Sequence, residues 1–215
     1  MKKDLIIPYL EKVDFDSKHF SEDSVHIDID CVNWPDKFPD RRQTTAFLAH
    51  DGQNIYIKFK CLDRDIMAVT DTNLGPVAND SCVEFFVSPD ATSSRYWNFE
   101  FNAIGYINAS TRSLRPEPRR LSSDELSLIK TFPSEGRNPF SERRGKFIWE
   151  INIIIPLEIM GIKYVGLPVE MRGNFYKCAG KTSSPHYLSW APIDTEKPDF
   201  HRPEFFRTII LSGKN

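Results

Sequence analysis

Residues 44–61 read TTAFLAHDGQNIYIKFKC and consist of two strand-like runs joined by a turn. In the second run, apolar side chains occupy every other position, which is the period of a β-strand with one buried face. These side chains are Ile55, Ile57, Phe59 and Cys61. Asp51 and Gly52 stand between the runs, and glycine accepts the positive φ that a tight hairpin turn requires. The stretch therefore predicts an antiparallel β-hairpin.

Comparable short runs recur along the rest of the chain, with turn residues between them. They are SVHIDIDC (24–31), SCVEFFVS (81–88), RYWNFEFNAI with GYINAST (95–111), LSLIKTF (126–132), GKFIWEINIII (145–155), VEMRGNFYKC (169–178), HYLSWAP (186–192) and FFRTIIL (205–211). One short helix is expected at 156–162, and a long basic loop at 115–124. The pattern predicts one all-β domain over residues 1–215, with its core at roughly 20–211. Its expected architecture is an antiparallel, immunoglobulin-like β-sandwich, with a flattened barrel as the alternative.

The composition argues against two classes of function. The 215 residues carry a formal net charge of -2, so no overall basic field is present to bind nucleic acid or an anionic membrane. The apolar runs are much shorter than the roughly 18 residues that a membrane span requires. The N-terminal residues contain no apolar stretch long enough for a secretion signal. We therefore expect a cytoplasmic chain, or a periplasmic or extracellular one whose signal has been removed.

The cysteines are far apart in the sequence, and no Cys-x-x-Cys pair is present. They are Cys31, Cys61, Cys82 and Cys178. Zinc sites commonly take two of their ligands from such close spacing, so we predict no metal site and no cofactor. Four buried free thiols are the preferred interpretation, and at least one disulfide bond is the alternative.

Alternation also predicts a polar face shared by three strands, because residues of one parity lie on one side of a sheet. The polar positions are Glu84 on the first strand, Asn98, Glu100 and Asn102 on the second, and Arg172 and Asn174 on the third. Carboxylate, amide and guanidinium groups bind pairs of neighbouring hydroxyls, so this face suits a sugar. Trp190 is the candidate platform for the apolar face of the sugar ring. The alternative is that the polar positions are merely solvated and that Trp190 lies in the core.

Six blocks of the sequence, taken in order, resemble the family 9 carbohydrate-binding modules over roughly residues 20–211. The blocks are AHDGQNIYIKFK, DSCVEFFVSPD, YWNFEFNAIG, GNFYKC, HYLSWAPI and PDFHRPEFFRTIIL. The sequence looks most like the single-domain, family 9-like proteins of polysaccharide-degrading bacteria. The resemblance implies a β-sandwich related to DOMON-type domains. It also implies non-catalytic binding of soluble sugars or glycan chain ends, in support of glycoside hydrolases such as xylanases.

The resemblance further implies which residues bind the ligand. The carboxylate of the family's D-S-x-E block falls on Glu84, and the polar position on the next strand falls near Glu100, with Asn98 and Asn102 beside it. The amide-bearing position on the late strand falls on Arg172 or Asn174, and the later tryptophan of an aromatic clamp falls on Trp190. The chain departs from the family at the first tryptophan of the clamp, because residues 75–79 read GPVAN. The candidates to replace that ring are Phe205, Phe206 and Tyr176.

Two other functions remain as alternatives. A small glycoside hydrolase would need two carboxylates about 5–10 Å apart, which Glu84 and Glu100 on neighbouring strands could provide. A haem-binding domain, as among DOMON relatives, would need Met or His ligands, and no histidine is paired in the sequence with the methionines. Some members of the family hold structural calcium, although a solvated acidic edge is the preferred interpretation here. The candidate calcium ligands are Asp14, Asp16, Asp28 and Asp30.

Overall fold

The computed structural model describes residues 4–15, 20–90, 92–113 and 118–214. In chain order, the elements are β1 (Leu5–Ile7), α1 (Phe20–Asp23), β2 (Val25–Asp28), β3 (Cys31–Val32), β4 (Gln43–His50), β5 (Asn54–Ala68), β6 (Cys82–Ser88), β7 (Tyr96–Asn102), β8 (Ile107–Arg112), β9 (Arg119–Arg120), α2 (Ser123–Leu128), β10 (Lys130–Pro133), β11 (Phe140–Pro156), β12 (Val169–Cys178), β13 (Tyr187–Ser189) and β14 (Arg207–Leu211). Short turns of 3-10 helix lie at Val77–Asn79, Leu157–Met160 and Pro203–Phe205. Among the described residues, no helix is long and apolar enough to cross a membrane.

The strands form two sheets that pack face to face. The first sheet has the order β1-β14-β12-β6-β7-β8-β9, with β13 beside β12 and β3 beside β13. The second sheet has the order β10-β11-β5-β4-β2. Strands β1 and β14 run parallel, whereas the other neighbours are antiparallel. The predicted all-β sandwich is therefore confirmed.

The hairpin predicted at 44–61 is formed by β4 and β5. His50 pairs with Ile55 across the turn, and Gly52 has a φ of +85°, which its lack of a side chain permits. One carboxylate oxygen of Asp51 accepts hydrogen bonds from the backbone N–H groups of residues 53 and 54, at 2.8 and 2.7 Å. The aspartate thus closes the turn that the sequence indicates.

The apolar core lies between the two sheets and takes alternate residues from each. In the first sheet, the rings of Phe85 and Phe175 stack with their centroids 4.6 Å apart. Phe59 of the second sheet faces Phe175 at 6.4 Å, so the rings of the two sheets meet in the middle. Burying a side chain of this size contributes about 2–3 kcal/mol. Because Phe85 and Phe175 point inwards, their immediate neighbours on β6 and β12 point to the opposite face of the first sheet.

A polar cluster also lies inside the sandwich. It is formed by Asp63, Trp149, Lys177 and His186. The ammonium group of Lys177 on β12 lies 3.3 Å from a carboxylate oxygen of Asp63 on β5 and 2.9 Å from Nε2 of His186. Trp149 Nε1 donates to the same aspartate at 2.7 Å. Burial, with a further contribution from the charge of Lys177, lowers the pKa of His186 to about 3, so the imidazole is neutral and accepts from the lysine.

Two predicted strands differ in the structure. Residues 126–128 end helix α2 rather than starting a strand, because Ser122 and Glu125 form a capping box that starts the helix. The run at 24–31 is divided between the sheets: β2 pairs with β4 in the second sheet, and β3 pairs with β13 in the first.

Of two other local predictions, the short helix near 156–162 is present as a single turn, and the loop at 115–124 contains more structure than expected. The helix expected at 156–162 is a 3-10 turn over Leu157–Met160, closed by Gly161 with a φ of +73°. The loop expected at 115–124 contains β9 and the start of α2, while residues 115–117 lie outside the described part of the chain.

Candidate functional site

The outward face of the first sheet is covered by irregular segments of the chain, whereas alternation had suggested an open surface. A second apolar cluster lies on this face, and its members include Trp34, Phe86, Tyr96, Tyr176, Phe200 and Phe206. Trp34 Nε1 donates to the carbonyl oxygen of Thr195 at 2.7 Å and so joins two of the covering segments. Most of the polar residues predicted for this face are therefore buried rather than solvated, namely Glu84, Asn98, Glu100, Asn102 and Asn174, while Arg172 is half-buried.

A pocket of about 360 Å³ opens between this cover and the sheet. Its polar lining consists of Glu84, Glu100, Asn108, Arg112 and Asp199, and its ring-bearing lining of Phe86, Tyr187, Phe200 and His201. A second cavity, of about 390 Å³, shares Arg112, Asp199 and His201 with the first, so the two are neighbours. Alternation predicted the polar groups of this face, whereas the aromatic platform predicted with them, Trp190, does not line the pocket.

The strand register places the polar floor of the pocket in one row. Glu84 on β6 lies directly opposite Glu100 on β7, and Glu100 lies directly opposite Asn108 on β8. On the other side, Tyr176 on β12 lies opposite Glu84. Side chains at such positions have Cβ atoms about 4.5–5.5 Å apart, so these four form one continuous line across four strands.

Glu100 is held by two amide groups. Asn98 donates to one of its carboxylate oxygens and Asn108 to the other, both at 2.9 Å. Asn98 is itself oriented by the hydroxyl of Ser110, which donates to its side-chain oxygen at 2.5 Å. Burial raises the pKa of Glu100, while the two amide hydrogen bonds and the charge of Arg112 oppose that rise. The carboxylate is therefore positioned before any ligand binds.

Glu84 lies deeper and next to sulfur. Its Oε1 is 3.1 Å from Sγ of Cys178 and 3.9 Å from Sγ of Cys82. Burial raises the pKa of Glu84 well above its usual value, and the neighbouring Cys178 and Glu100 raise it further. All four cysteines are free thiols; Cys31 is half-buried, and the other three are buried.

The aromatic side of the pocket is formed by Tyr187 and Phe200, neither of which was among the predicted site residues. Phe200 stacks on Tyr176 with centroids 4.2 Å apart, and Tyr187 packs edge-on against Phe38 at 4.9 Å. The strand register explains the position of Tyr187, because Tyr187 on β13 pairs with Cys178 on β12. Phe200 lies in an irregular segment, and only its place in the block PDFHRPEFF could have indicated it.

The predicted position of Trp190 over the polar face was wrong. The indole belongs to the core between the sheets, is 4 % exposed and packs edge-on against Phe175. Leu188, which has the same parity, also lies in this core, so the strand alternation continues one residue past the end of β13 at Ser189. The backbone N–H of Trp190 donates to the carbonyl oxygen of Phe175, and this bond fixes the indole on the inner side.

Three other predicted ligand residues have their hydrogen-bonding groups directed to the protein itself. Asn102 donates to a carboxylate oxygen of Asp80 and to the carbonyl oxygen of Thr70. The side chain of Asn174 bridges to the backbone of Ala191 in both directions. Arg172 donates to the carbonyl oxygen of residue 206 at 2.7 Å. Asn102, Asn174 and Arg172 share the predicted face but do not line the pocket.

The suggested replacement rings lie beneath or beside the pocket. Tyr176 is fully buried under Phe200, and Phe206 packs against Tyr96. The segment 75–79, where the sequence departs from the family pattern, contributes only Pro76 and Ala78 to the pocket lining and therefore no aromatic ring.

Asp28 and Asp30, two of the acidic residues considered for calcium, do not line the pocket. Asp28 accepts a hydrogen bond from Thr45 at 2.8 Å, and Asp30 forms an ion pair with Arg41 at 3.1 Å. Asp16 lies outside the described residues. Whether the chain holds calcium therefore stays a prediction from its sequence.

Comparison with known proteins points to one family. Residues 16–211 match the sequence model of carbohydrate-binding family 9. A crystal structure of a candidate carbohydrate-binding protein from Bacteroides uniformis ATCC 8492 is 32% identical to the chain, with a TM-score of 0.87 over 98% of this chain and 100% of that one. A search of curated proteins found no match.

Two structures of a family 9 carbohydrate-binding module from Caldicellulosiruptor kristjanssonii share the fold. The complex with cellotriose has a TM-score of 0.68 at 12% identity, covering 99% of this chain and 95% of that one. The complex with glucose has a TM-score of 0.64 at 13% identity, covering 99% and 97%.

Proposed function

The chain belongs to carbohydrate-binding family 9, and we propose that its pocket on the outward face of the first sheet binds the terminal unit of a glucose-type saccharide. The observation that carries this proposal is the row of Glu84, Glu100 and Asn108 beneath an aromatic wall. A sugar ring has hydroxyl groups around its rim and C–H groups on its faces, so it needs both kinds of surface at once.

The polar floor can both accept hydrogen bonds from a ligand and donate hydrogen bonds to it. Glu100 accepts from hydroxyl groups, and the oxygens already held by Asn98 and Asn108 retain further lone pairs for a ligand. Arg112 offers a donor, because its Nε is buried without a hydrogen-bond partner within the described residues. An unpaired buried donor costs about 1–3 kcal/mol, which a ligand hydroxyl would recover.

The size of the pocket supports a short ligand. At about 360 Å³ it lies near the lower end of the range of small-molecule sites, about 300–1,000 Å³. Tyr187 and Phe200 on the wall supply the flat apolar contact. Glucose and cellotriose, which the Caldicellulosiruptor kristjanssonii module binds, are therefore the first ligands to test.

The protein binds carbohydrate without catalysis, as a member of this family. Glu84 and Glu100 are direct cross-strand partners and lie side by side on one floor. This pairing by itself does not distinguish a binding site from the carboxylate pair of a glycosidase. Membership of a non-catalytic binding family is what argues against the hydrolase alternative.

The setting that we propose is polysaccharide breakdown in a bacterium. There the chain would bind glycan ends, xylan among them, beside glycoside hydrolases of the same pathway. The resemblance to modules attached to such enzymes supports this proposal.

Isothermal titration calorimetry with glucose, cellobiose, cellotriose and xylobiose tests the proposed function, with analysis of reducing ends in the same samples. We expect saturable binding at one site per chain and no released product. Glu158→Gln, an exposed glutamate on a 3-10 turn, is the matched control for Glu100→Gln. If none of the four sugars binds, or if the control loses affinity as much as Glu100→Gln does, the proposal is wrong.

A further inference from the structure

Two cysteines and a glutamate converge at the floor of the pocket, although the sequence separates them widely. Cys82 on β6 lies directly opposite Cys178 on β12, and Glu84 is two residues along β6 on the same face. One sulfur atom from each cysteine and one oxygen from the glutamate all lie within 4.8 Å of one another. From this geometry we infer that Cys82, Glu84 and Cys178 form a binding site for a thiophilic divalent cation of the Zn²⁺ class.

The distances suit a tetrahedral ion with little movement of the side chains. With Zn–S bonds of about 2.3 Å and Zn–O bonds of about 2.0–2.2 Å, tetrahedral donors stand roughly 3.5–3.8 Å apart. Oε1 of Glu84 lies 3.1 Å from one sulfur and 3.9 Å from the other, on either side of that spacing. Strand pairing fixes the backbone of all three residues, so the site does not depend on a flexible loop.

The choice of ligand atoms selects the kind of metal. Two sulfur ligands with one carboxylate favour Zn²⁺ and related soft ions, whereas Ca²⁺ and Mg²⁺ take oxygen ligands. This cation site is therefore distinct in chemistry from the acidic residues considered above for calcium. It also explains why spacing in the sequence indicated no metal: the two cysteines are brought together by strand pairing and not by a Cys-x-x-Cys turn.

Three protein ligands leave one coordination position open, as at zinc sites that bind a further molecule. Glu84 and Cys178 line the pocket, so the open position faces it. Water or a ligand hydroxyl would complete the tetrahedron. The inference does not rest on which sugar the pocket binds.

The test uses the full-length chain, treated with a chelator and kept reduced, and titrates it with Co²⁺ and then Zn²⁺. We expect one Co²⁺ per chain with the near-ultraviolet charge-transfer absorption of cobalt–thiolate bonds, displaced by Zn²⁺. Cys82→Ser and Cys178→Ser should each weaken metal binding by at least about tenfold and reduce the thiolate absorption. Glu84→Gln should weaken binding while leaving the absorption. Cys31→Ser, at a half-buried cysteine outside the site, is the matched control.

X-ray absorption at the zinc edge of the unmutated protein provides a measurement that does not depend on whether the variants fold. Two sulfur atoms in the zinc shell support the inference. A shell of nitrogen and oxygen only, or no saturable metal binding by the reduced protein, overturns it. A disulfide between Cys82 and Cys178 that persists in mild reductant also overturns it, because oxidised sulfur offers no thiolate ligand. Sugar calorimetry on the metal-free protein tests the proposed function separately.

Discussion

Glu100 is oriented before a ligand arrives, because each of its carboxylate oxygens accepts a hydrogen bond from an asparagine. Preorganised acceptors lose little entropy on binding, so a ligand obtains most of the value of a charge-assisted hydrogen bond there. Glu100 lines the pocket together with Asn108 and Arg112. This residue is therefore the one at which a change of a single atom should matter most to sugar binding.

We expect Glu100→Gln to weaken sugar binding by about 1.5–3 kcal/mol, roughly 10- to 150-fold, because a hydrogen bond to a charged group is replaced by a weaker one. Calorimetry with the best of the tested sugars measures the affinity, and thermal unfolding reports whether the fold is retained. Glu158→Gln should leave both unchanged. An unaltered affinity in Glu100→Gln would remove this carboxylate from the binding site.

Trp190 and Tyr187 should give opposite results when truncated to alanine. Trp190 fills the core, so Trp190→Ala should lower the free energy of unfolding by about 3–5 kcal/mol. Tyr187 is half-buried on the pocket wall, so Tyr187→Ala should cost less stability but reduce sugar affinity up to about tenfold, the value of an aromatic contact of 0.5–1.5 kcal/mol. Urea denaturation and calorimetry on both variants decide the matter. A stable Trp190→Ala that fails to bind sugar would restore the indole as the platform.

At the scale of the elements, the sequence predicts on which face of a sheet each strand residue lies. Glu84, Glu100 and Asn98 lie on the predicted face because a strand has a period of two wherever it is paired. Parity could not predict that the face is covered, since the cover consists of irregular segments such as the one containing Phe200. It also could not separate the pocket residues from Asn102 and Asn174, because backbone groups that occur only in the fold satisfy the latter.

The polar cluster between the sheets connects β5 to β12, and its chemistry makes stability depend on pH. The pKa of His186 is about 3 in the folded chain, against 6.5 when the chain is unfolded. Between these values the unfolded chain binds a proton that the folded chain does not, so the free energy of unfolding falls as the pH is lowered. From pH 7 to pH 5 this one histidine should remove about 2 kcal/mol.

Replacing the histidine checks that assignment. His186→Gln keeps a group that can accept from Lys177 and loses the titration, so its stability should fall less between pH 7 and pH 5 than that of the unmutated protein. Urea denaturation at the two pH values measures the difference. His50, whose pKa burial also lowers, is present in both proteins and cancels in the comparison. Equal pH dependence in the two proteins would mean that His186 does not carry the effect.

At the scale of the whole molecule, the sandwich provides a rigid floor and its irregular segments provide the walls. The second sheet buries the inner face of the first, and this leaves β6, β7, β8 and β12 free to present one outward row of polar side chains. The segments around Trp34 and Phe200 then close that row into a pocket instead of leaving an open sheet surface. A flat sheet face would contact many units along a glycan chain, whereas a pocket contacts few.

The affinity for oligosaccharides should therefore stop rising after the first one or two units. A pocket of about 360 Å³ accommodates a short saccharide, and further units extend into solvent without new contacts. Calorimetry along the series from glucose to cellohexaose should show an increase from glucose to cellobiose and nearly constant values beyond cellotriose. Glu158→Gln should reproduce the same series. Affinity that rises steadily with each added unit would instead indicate binding along an open surface, and the pocket would then be only part of the site.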